Sequence, residues 1–491
     1  MTTSTDTVDP VLALGEIVAA LLAGLALAVP LRPRLRAAAV LGALVLTPVL
    51  LLVEIWDSDQ IVALRDRPAV AGVAAVLGLL VVAGMAVLFA RRAMWFPVAA
   101  VAALPFRIPI AAGGTTSSLL VPLYAVIAAG VLAYAVPRLL GKVTDDGPPP
   151  GGVWLRRLLA ASIVLYAIQA TYTSDFERAL QQVVFFYVPF ALLAMLLLRV
   201  TWSRDVLVRC LAVLAGLAVV FVSIGYVEYA TRSLLLNPKV IASNQFESYF
   251  RVNSLFFDPN IYGRFLAVVM LLLTSVLLWS RSSKVVAGLG VLLAFLFCGL
   301  LLTLSQSSFT ALLFGLGVLA AYRWGSRRAL IAGAVILVIG VVGAAGIIIA
   351  SGDGVDNATT GRWSLVKGGL RLADDAPLVG QGSASFRREY RRAENASGEK
   401  ATNASHNMPV TIAAEQGVVG LAVYLALLVV ALSLLLRGAG GSVARTGIAA
   451  AFVALQVHTM AYAAFLEDPV SWALMAAGIG LLSAGAAARR P

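Results

Sequence analysis

Residues 285–303 read Val285-Val-Ala-Gly-Leu-Gly-Val-Leu-Leu-Ala-Phe-Leu-Phe-Cys-Gly-Leu-Leu-Leu-Thr303, a run with no charge and no proline, set behind Arg281 and Lys284. At 1.5 Å per residue a helix of this length covers about 28 Å, close to the roughly 30 Å of a bilayer's hydrocarbon core. The apolar residues are continuous rather than alternating, which reads as a spanning helix and not as a barrel strand. Runs of the same kind begin near Val11, Ala37, Ala69, Leu119, Leu155, Ala179, Val206, Ile261, Phe309, Leu330, Val418, Thr446 and Val470. A shorter, proline-interrupted run, Trp95 to Pro105, is counted with them. The expected fold is therefore all-α and integral to the membrane. It is one polytopic bundle of about 12–15 transmembrane helices over residues 1–491.

Composition agrees. Of 491 residues, 60% are hydrophobic and 13% charged, and the mean hydropathy is +0.92. Soluble domains carry about a quarter charged residues, so a water-soluble enzyme is excluded. Cys210 and Cys298 both lie in apolar runs, and no Cys-x-x-Cys or Cys/His cluster accompanies them. This supports neither a disulfide frame nor a zinc site, and the two thiols read as small buried hydrophobes. Met1 to Pro10 is polar and acidic, unlike the basic start of a secretory signal, so the run from Val11 to Pro30 reads as a retained span.

The net charge of +12 would suggest nucleic acid on a soluble protein; here its distribution gives a different reading. The segments between runs alternate in chemistry. A basic set comprises Arg32, Arg34 and Arg36; Arg91 and Arg92; Arg138, Lys142, Arg156 and Arg157; and Arg199, Arg204 and Arg209. It continues with Arg281 and Lys284; Arg323, Arg327 and Arg328; Arg437 and Arg445; and Arg489 and Arg490. The other set is acidic or mixed, as in Glu54-Asp57-Asp59 and Asp175-Glu177. Cytoplasmic loops are enriched in Lys and Arg, so the basic set is expected inside, with the N-terminus outside and the C-terminus inside. That alternation requires the Trp95 run to cross. The excess of positive charge is thus a topology signal, and no nucleic-acid partner is expected.

Two segments on the outer side are too long for simple turns, 230–259 and 351–409. Functional residues concentrate on loops that a rigid scaffold holds. His406 lies in Asn403-Ala-Ser-His-Asn407 at the end of the longer one, and the other histidine, His458, lies in the apolar Leu455-Gln-Val-His-Thr-Met460. Histidine is the side chain poised to take a proton near neutral pH. A lone histidine more often caps or fills a surface, and one within a span is costly unless it is paired or faces a cavity. Arg251 opens Arg251-Val-Asn-Ser-Leu-Phe-Phe-Asp-Pro-Asn260, and Arg264 follows. Arg362 stands in Thr360-Gly-Arg-Trp363, and Arg387, Arg388, Arg391 and Arg392 surround Tyr390. Guanidinium groups match phosphate oxygens and stay charged, which suits a lipid-linked phosphate or pyrophosphate; a solvated helix face is the plainer account of the Arg387 cluster. Gly380 and Gly382, in Pro377-Leu-Val-Gly-Gln-Gly382, permit positive φ and close backbone approach, but they form no nucleotide-binding motif. Asp353 with Asp356, and Asp374 with Asp375, read as loop acids and helix starts rather than metal ligands.

Three of these stretches together resemble the O-antigen ligase and O-antigen polymerase superfamily of bacterial membrane glycosyltransferases. They are Arg251 through Arg264; Gly361-Arg-Trp363 with Pro377-Leu-Val-Gly-Gln-Gly382 and Phe386; and His406-Asn407 with Glu415-Gln-Gly-Val-Val-Gly-Leu421. The resemblance implies a glycosyltransferase C-like (GT-C) fold and an active site on the extracytoplasmic face of the cytoplasmic (inner) membrane. It also implies an undecaprenyl-pyrophosphate-linked glycan as donor, with no metal and no cofactor. On this likeness Arg251 and Arg362 hold the pyrophosphate and His406 activates an acceptor hydroxyl, with inversion at the anomeric carbon. The matching stretches add Asn260, Arg264, Trp363, Gly380, Gly382, Arg388, Asn407 and Glu415 as candidate substrate-binding residues. The expected partners are the lipid-linked glycan, membrane lipids, and an acceptor glycan, lipid or protein. One departure stands out: such ligases often carry a Ser-Arg where this chain reads Leu304-Ser-Gln-Ser-Ser308. The leading reading is a ligase in cell-envelope polysaccharide biosynthesis. A polymerase extending lipid-linked repeat units is the alternative, and a non-enzymatic polysaccharide transporter or flippase the reading from another class.

Overall fold

The computed structural model describes residues 8–56, 61–62, 65–112, 115–146, 151–235, 244, 250–328, 362–394 and 404–487, and for 108–112, 115–119, 362 and 484–487 the backbone alone. The chain is a bundle of long helices: α1 (Pro10–Ala28), α2 (Pro33–Glu54), α3 (Pro68–Arg91), α4 (Trp95–Ala103), α5 (Val121–Leu139) and α6 (Val153–Gln169). Next come α7 (Phe176–Gln182), α8 (Val188–Leu197), α9 (Arg204–Thr231), α10 (Pro259–Trp279), α11 (Ser283–Thr303) and α12 (Gln306–Trp324). The late polar segment contributes α13 (Arg362–Asp375) and α14 (Phe386–Glu394), and α15 (Met408–Leu436), α16 (Val443–Thr459) and α17 (Pro469–Ala487) complete the bundle. Among the described residues ten helical segments are long and apolar enough to cross a membrane. The runs near Phe309, Thr446 and Val470 form α12, α16 and α17, outside those ten, and the run near Leu330 lies outside the described residues.

Local chemistry sets the helix starts. Proline occupies the first turn of α1, α2, α3, α5, α10 and α15, where its missing N–H costs nothing. Asp9 caps α1 by accepting from the Val11 amide at 2.8 Å, and Asp258 caps α10 through Asn260 N at 2.6 Å. The apolar side chains of α3 face outward, Leu79 at 69% and Val70 at 63% exposure. An apolar face of that extent belongs in lipid rather than water, and the chain is a multi-pass membrane protein.

Two runs depart from simple spans. The Ala179 run is not one regular helix: Val183–Tyr187 forms a π-turn between α7 and α8. Pro189 has no N–H for the Phe185 carbonyl four residues back, and the Tyr124 hydroxyl donates to that carbonyl instead, at 2.8 Å. The Trp95 run gives α4, nine residues and so about 14 Å long, which is half a crossing. The chain then turns through an antiparallel hairpin, Ile108–Ala112 paired with Thr115–Leu119, before α5 returns. No strand was expected there from the sequence.

One end of the bundle gathers the basic segments. Asp146 accepts from Arg36 at 2.5 Å and Arg138 at 2.6 Å, and lies 3.5 Å from Arg199; the Tyr134 hydroxyl also donates to it, at 2.9 Å. Burial alone would raise the Asp146 carboxyl, but the Arg138 and Arg199 guanidinium groups and Tyr134 hold it below the usual range. The linker bearing Asp146 is thereby fastened to α2, α5 and the end of α8. At the opposite end stand the starts of α10, α12, α15 and α17 and the end of α16.

Candidate functional site

Arg251 is placed by backbone and side chain alike. Its N–H donates to Asn244 Oδ1 and its carbonyl accepts from Asn244 Nδ2, both at 3.1 Å. Its Nε donates to the Thr303 carbonyl at 3.0 Å, on the last turn of α11, where helix carbonyls carry partial negative charge. Its Nη2 donates to Asn260 Oδ1 at 3.3 Å, in the first turn of α10. The residues after Arg251 are secured from below, because Glu228 of α9 accepts from the Ser254 and Asn253 amides at 2.7 and 3.3 Å. Ser254 sits at φ +51.

The Leu304-Ser-Gln-Ser-Ser308 stretch turns between α11 and α12, with Leu304 at φ +50 closing the first helix. Ser305 Oγ donates to Asn260 Oδ1 at 2.9 Å, and Ser307 Oγ lies 3.2 Å from His458 Nε2. Gly263 lets α10 approach: a Cβ there would lie 2.6 Å from Ser308 Oγ.

His406 stands at φ +59 in a turn built by its neighbours. Ser405 Oγ donates to the Asn407 carbonyl at 2.8 Å and accepts from the Asn407 amide at 3.2 Å. Asn407 caps α15 through Val410 N at 3.2 Å, and its Nδ2 donates to the Met460 carbonyl at the end of α16, also at 3.2 Å. The His406 ring lies 6.3 Å from the Tyr462 ring, and the His458 ring 5.7 Å from it. The Arg264 guanidinium stands 5.8 Å from the same ring. Burial, then the Asp258 carboxylate, push the Tyr462 phenol well above its ordinary range. Tyr462 is therefore the point at which His406, His458 and Arg264 converge, and neither its loop nor its type marked it in the sequence.

Arg264 is buried and pairs with Asp468 at 3.1 Å. Both line a cavity of about 560 Å³ bounded by α4, α8, α9, α10, α16 and α17. Its walls are mostly apolar. Arg107, Arg264 and Asp468 stand at one end, and Trp202, Arg204 and Trp279 at the other. From Arg264 to Trp279 along α10 is about 22 Å.

The other candidates fall in the layer above α15. Gly417, at φ +63 and ψ −163, breaks α15, and Pro377–Gly382 is laid into the break. Val418 N donates to the Pro377 carbonyl at 2.8 Å, Gln381 N to Ala414 O at 3.0 Å and Gly382 N to Glu415 O at 2.9 Å. Gly380 (φ +72) would set a Cβ 2.3 Å from the Glu415 carbonyl, and Gly382 (φ +98) one 2.6 Å from Thr173 Cα. Their positive φ serves this contact between segments. Glu415 is buried beneath the loop, where its Oε1 accepts from Phe386 N at 3.2 Å. Arg388 binds Asp175 at 3.3 Å and the Ser174 carbonyl at 2.5 Å, and Arg392 pairs with Glu389 at 2.9 Å. Trp363 is 44% exposed near Lys367. Arg362 opens α13, with its backbone alone described. Asp353 and Asp356 lie outside the described residues.

A smaller polar cavity of about 70 Å³ lies beside this layer, lined by Arg178, Gln182, Glu415, Gln416 and Glu467 among others. Burial raises the Glu467 carboxyl from 4.5 to about 7, against the pull of Arg178, Arg107 and Arg264. The sequence reading missed Glu228, Asn244, Ser305, Ser307, Tyr462, Glu467 and Asp468. The signal available for the last two was an acidic Glu467-Asp468-Pro469 shortly before an apolar run.

No curated protein matches the chain. The match of a family model covers about a quarter of the chain and takes in the serine turn, α13, the glycine loop, His406 and Glu415, while Arg251, Asn260, Arg264 and Tyr462 lie outside it. That model is described as O-antigen ligase, so over residues 291–425 the chain is similar to that family.

Proposed function

We propose that the protein is a glycosyltransferase. It moves a glycan from undecaprenyl pyrophosphate to an acceptor hydroxyl at the outer face of the cytoplasmic membrane. The observation that carries this reading is the long apolar cavity ending at Arg264 and Arg107, where the Arg264 guanidinium lies 5.8 Å from the Tyr462 ring that His406 approaches. An isoprenoid tail fits the apolar walls, and a pyrophosphate fits guanidinium groups at the polar end.

In this mechanism Arg251 and Arg362 neutralise the charge that develops as the lipid pyrophosphate leaves, in place of a metal ion. His406 takes the proton of the acceptor hydroxyl. The acceptor oxygen bonds to the anomeric carbon as the carbon–oxygen bond to the pyrophosphate breaks, so the configuration inverts. Gly380, Gly382, Glu415 and Arg388 hold the layer that carries His406, while Asn260, Asn407 and Trp363 border the substrate. The acceptor is an envelope glycan, lipid or protein.

The test supplies purified protein in lipid nanodiscs with undecaprenyl-pyrophosphate-linked glycan and candidate acceptors. Transfer to the acceptor, unaffected by a chelator, supports the ligase. Growth of chains on the lipid without transfer replaces it with the polymerase. Movement of lipid-linked glycan across the bilayer with no new glycosidic bond would overturn enzymatic function altogether.

A further inference from the structure

A line of hydrogen bonds connects Arg251 to His458 through three intervening side chains. Arg251 Nη2 donates to Asn260 Oδ1 at 3.3 Å, and Ser305 Oγ donates to the same oxygen at 2.9 Å. The Ser305 and Ser307 hydroxyls are 3.2 Å apart, and Ser307 Oγ is 3.2 Å from His458 Nε2. Ser305 and His458 are fully buried and Ser307 nearly so, so water does not substitute freely for these three, while Asn260 and Arg251 are half-buried.

The donors along this line can be assigned. Asn260 Oδ1 is identified as the oxygen because a guanidinium donates to it. It only accepts, so Ser305 gives it its single hydroxyl proton. Ser305 then accepts from Ser308 Oγ at 2.8 Å and, on its other lone pair, from Ser307, and Ser307, having one proton, must accept from His458. All the bonds form together only when His458 Nε2 carries a proton. The Ser305–Ser307 turn is the place where the family resemblance led one to expect an arginine, and the serine–histidine line occupies it.

We propose that His458 is a positioning residue. Its Nε2–H directs Ser307 and Ser305 onto Asn260 Oδ1, and Asn260 in turn holds the Arg251 guanidinium toward the pyrophosphate of the lipid-linked donor. This rests on the reading of Arg251 as a pyrophosphate ligand. His458 touches no reacting atom and acts through three others. A buried line of this kind is cooperative, so its parts fail together.

The experiment compares His458→Ala, His458→Gln and Ser307→Ala with His406→Ala in nanodiscs, using undecaprenyl-pyrophosphate-linked glycan at saturating acceptor. A glutamine amide can donate where Nε2–H does. The expected result is a rise of about tenfold in KM for the donor in His458→Ala and in Ser307→Ala, with kcat changed less than about threefold. The double variant adds little to either, and His458→Gln returns KM to within about threefold of the parent. His406→Ala should instead lower kcat. A second readout does not depend on turnover: modification of Arg251 by phenylglyoxal, followed by mass spectrometry, should quicken in His458→Ala and not in His458→Gln. Unchanged KM and unchanged Arg251 reactivity in both His458→Ala and Ser307→Ala would overturn the proposal. Thermal unfolding checks each variant, and where His458→Ala does not fold, Ser307→Ala, the smaller change, decides alone. A parent protein that transfers nothing, with Arg251 reactivity still following the His458 series, overturns the functional reading and leaves the line of bonds established.

Discussion

Arg264 and Asp468 meet at 3.1 Å, both buried, at the polar end of a cavity whose walls are otherwise apolar. Arg264 comes from the second turn of α10 and Asp468 from the residue before α17, so the pair ties two helix starts together across the cavity mouth. It also sets a guanidinium within 5.8 Å of the Tyr462 ring, against which His406 lies.

Removing one partner leaves the other charge buried and uncompensated, which costs about 3–5 kcal/mol. Asp468→Asn and Arg264→Met should each lower the thermal unfolding midpoint in detergent markedly. The Arg264→Met, Asp468→Leu double variant should recover much of that loss yet remain inactive in glycan transfer. A double variant that loses the sum of the two single losses would show that the pair is not coupled.

His406 and Arg251 should separate kinetically. A general base contributes about 10²–10⁴ in rate, so His406→Ala should lower kcat by that order with little change in KM for the donor. Arg251→Lys keeps the charge but not the planar fork that reaches both Thr303 O and Asn260 Oδ1. It should raise KM for the lipid-linked donor and also depress kcat. Steady-state transfer rates at varied donor concentration distinguish the two.

Gly380 has no room for a side chain, since a Cβ would fall 2.3 Å from the Glu415 backbone and φ is +72. Gly380→Ala should cost about 1–3 kcal/mol or more through strain and clash. The loss should concentrate in the layer over α15, because the laid-in loop must lift from the Gly417 break. Hydrogen exchange at Gln381, Gly382 and Val418 should quicken in the variant while the amides of α10 stay protected.

Glu467 lies between α16 and α17, with its carboxyl raised from 4.5 to about 7 by burial. A raised folded-state value means that the folded protein holds this proton more tightly than the unfolded chain. The favourable contribution is full below about pH 4.5, declines as pH rises, and is lost above about pH 7. Glu467→Gln cannot ionise, so its unfolding midpoint should gain on the parent as pH rises from 4.5 to 7 and hold that gain above 7. A difference between the two proteins that does not vary with pH would count against this assignment.

Much of the architecture was legible in the chain itself. Continuous apolar runs such as 285–303 must become helices in a bilayer, because only helices and closed barrels satisfy every backbone group there. Prolines at helix starts, and Asp9, Asp258 and Asn407 as caps, are local chemistry, and so are legible in sequence. The alternation of basic segments anticipated the gathering of Arg36, Arg138 and Arg199 on Asp146 at one end. Arg251 and His406 stand out because charged and polar residues are rare in so apolar a chain, whereas Asn260 entered only with the family resemblance.

The tertiary structure decided which of these residues meet. The Trp95 run looks like a short span, yet it stops as a nine-residue helix just before Pro105 and gives way to a hairpin that its hydropathy did not indicate. Gly380 and Gly382 look like ligand-binding glycines, but their backbone conformation is taken up by the Gly417 break in α15. Tyr462, Asp468 and the serine turn carry no motif, since their importance comes from contacts with helices distant in the chain. Hydropathy and capping act over one turn or one span and can be read along the sequence. Pairing of Arg264 with Asp468, and of Ser307 with His458, depends on how separate helices pack, so it appears only when the bundle is assembled.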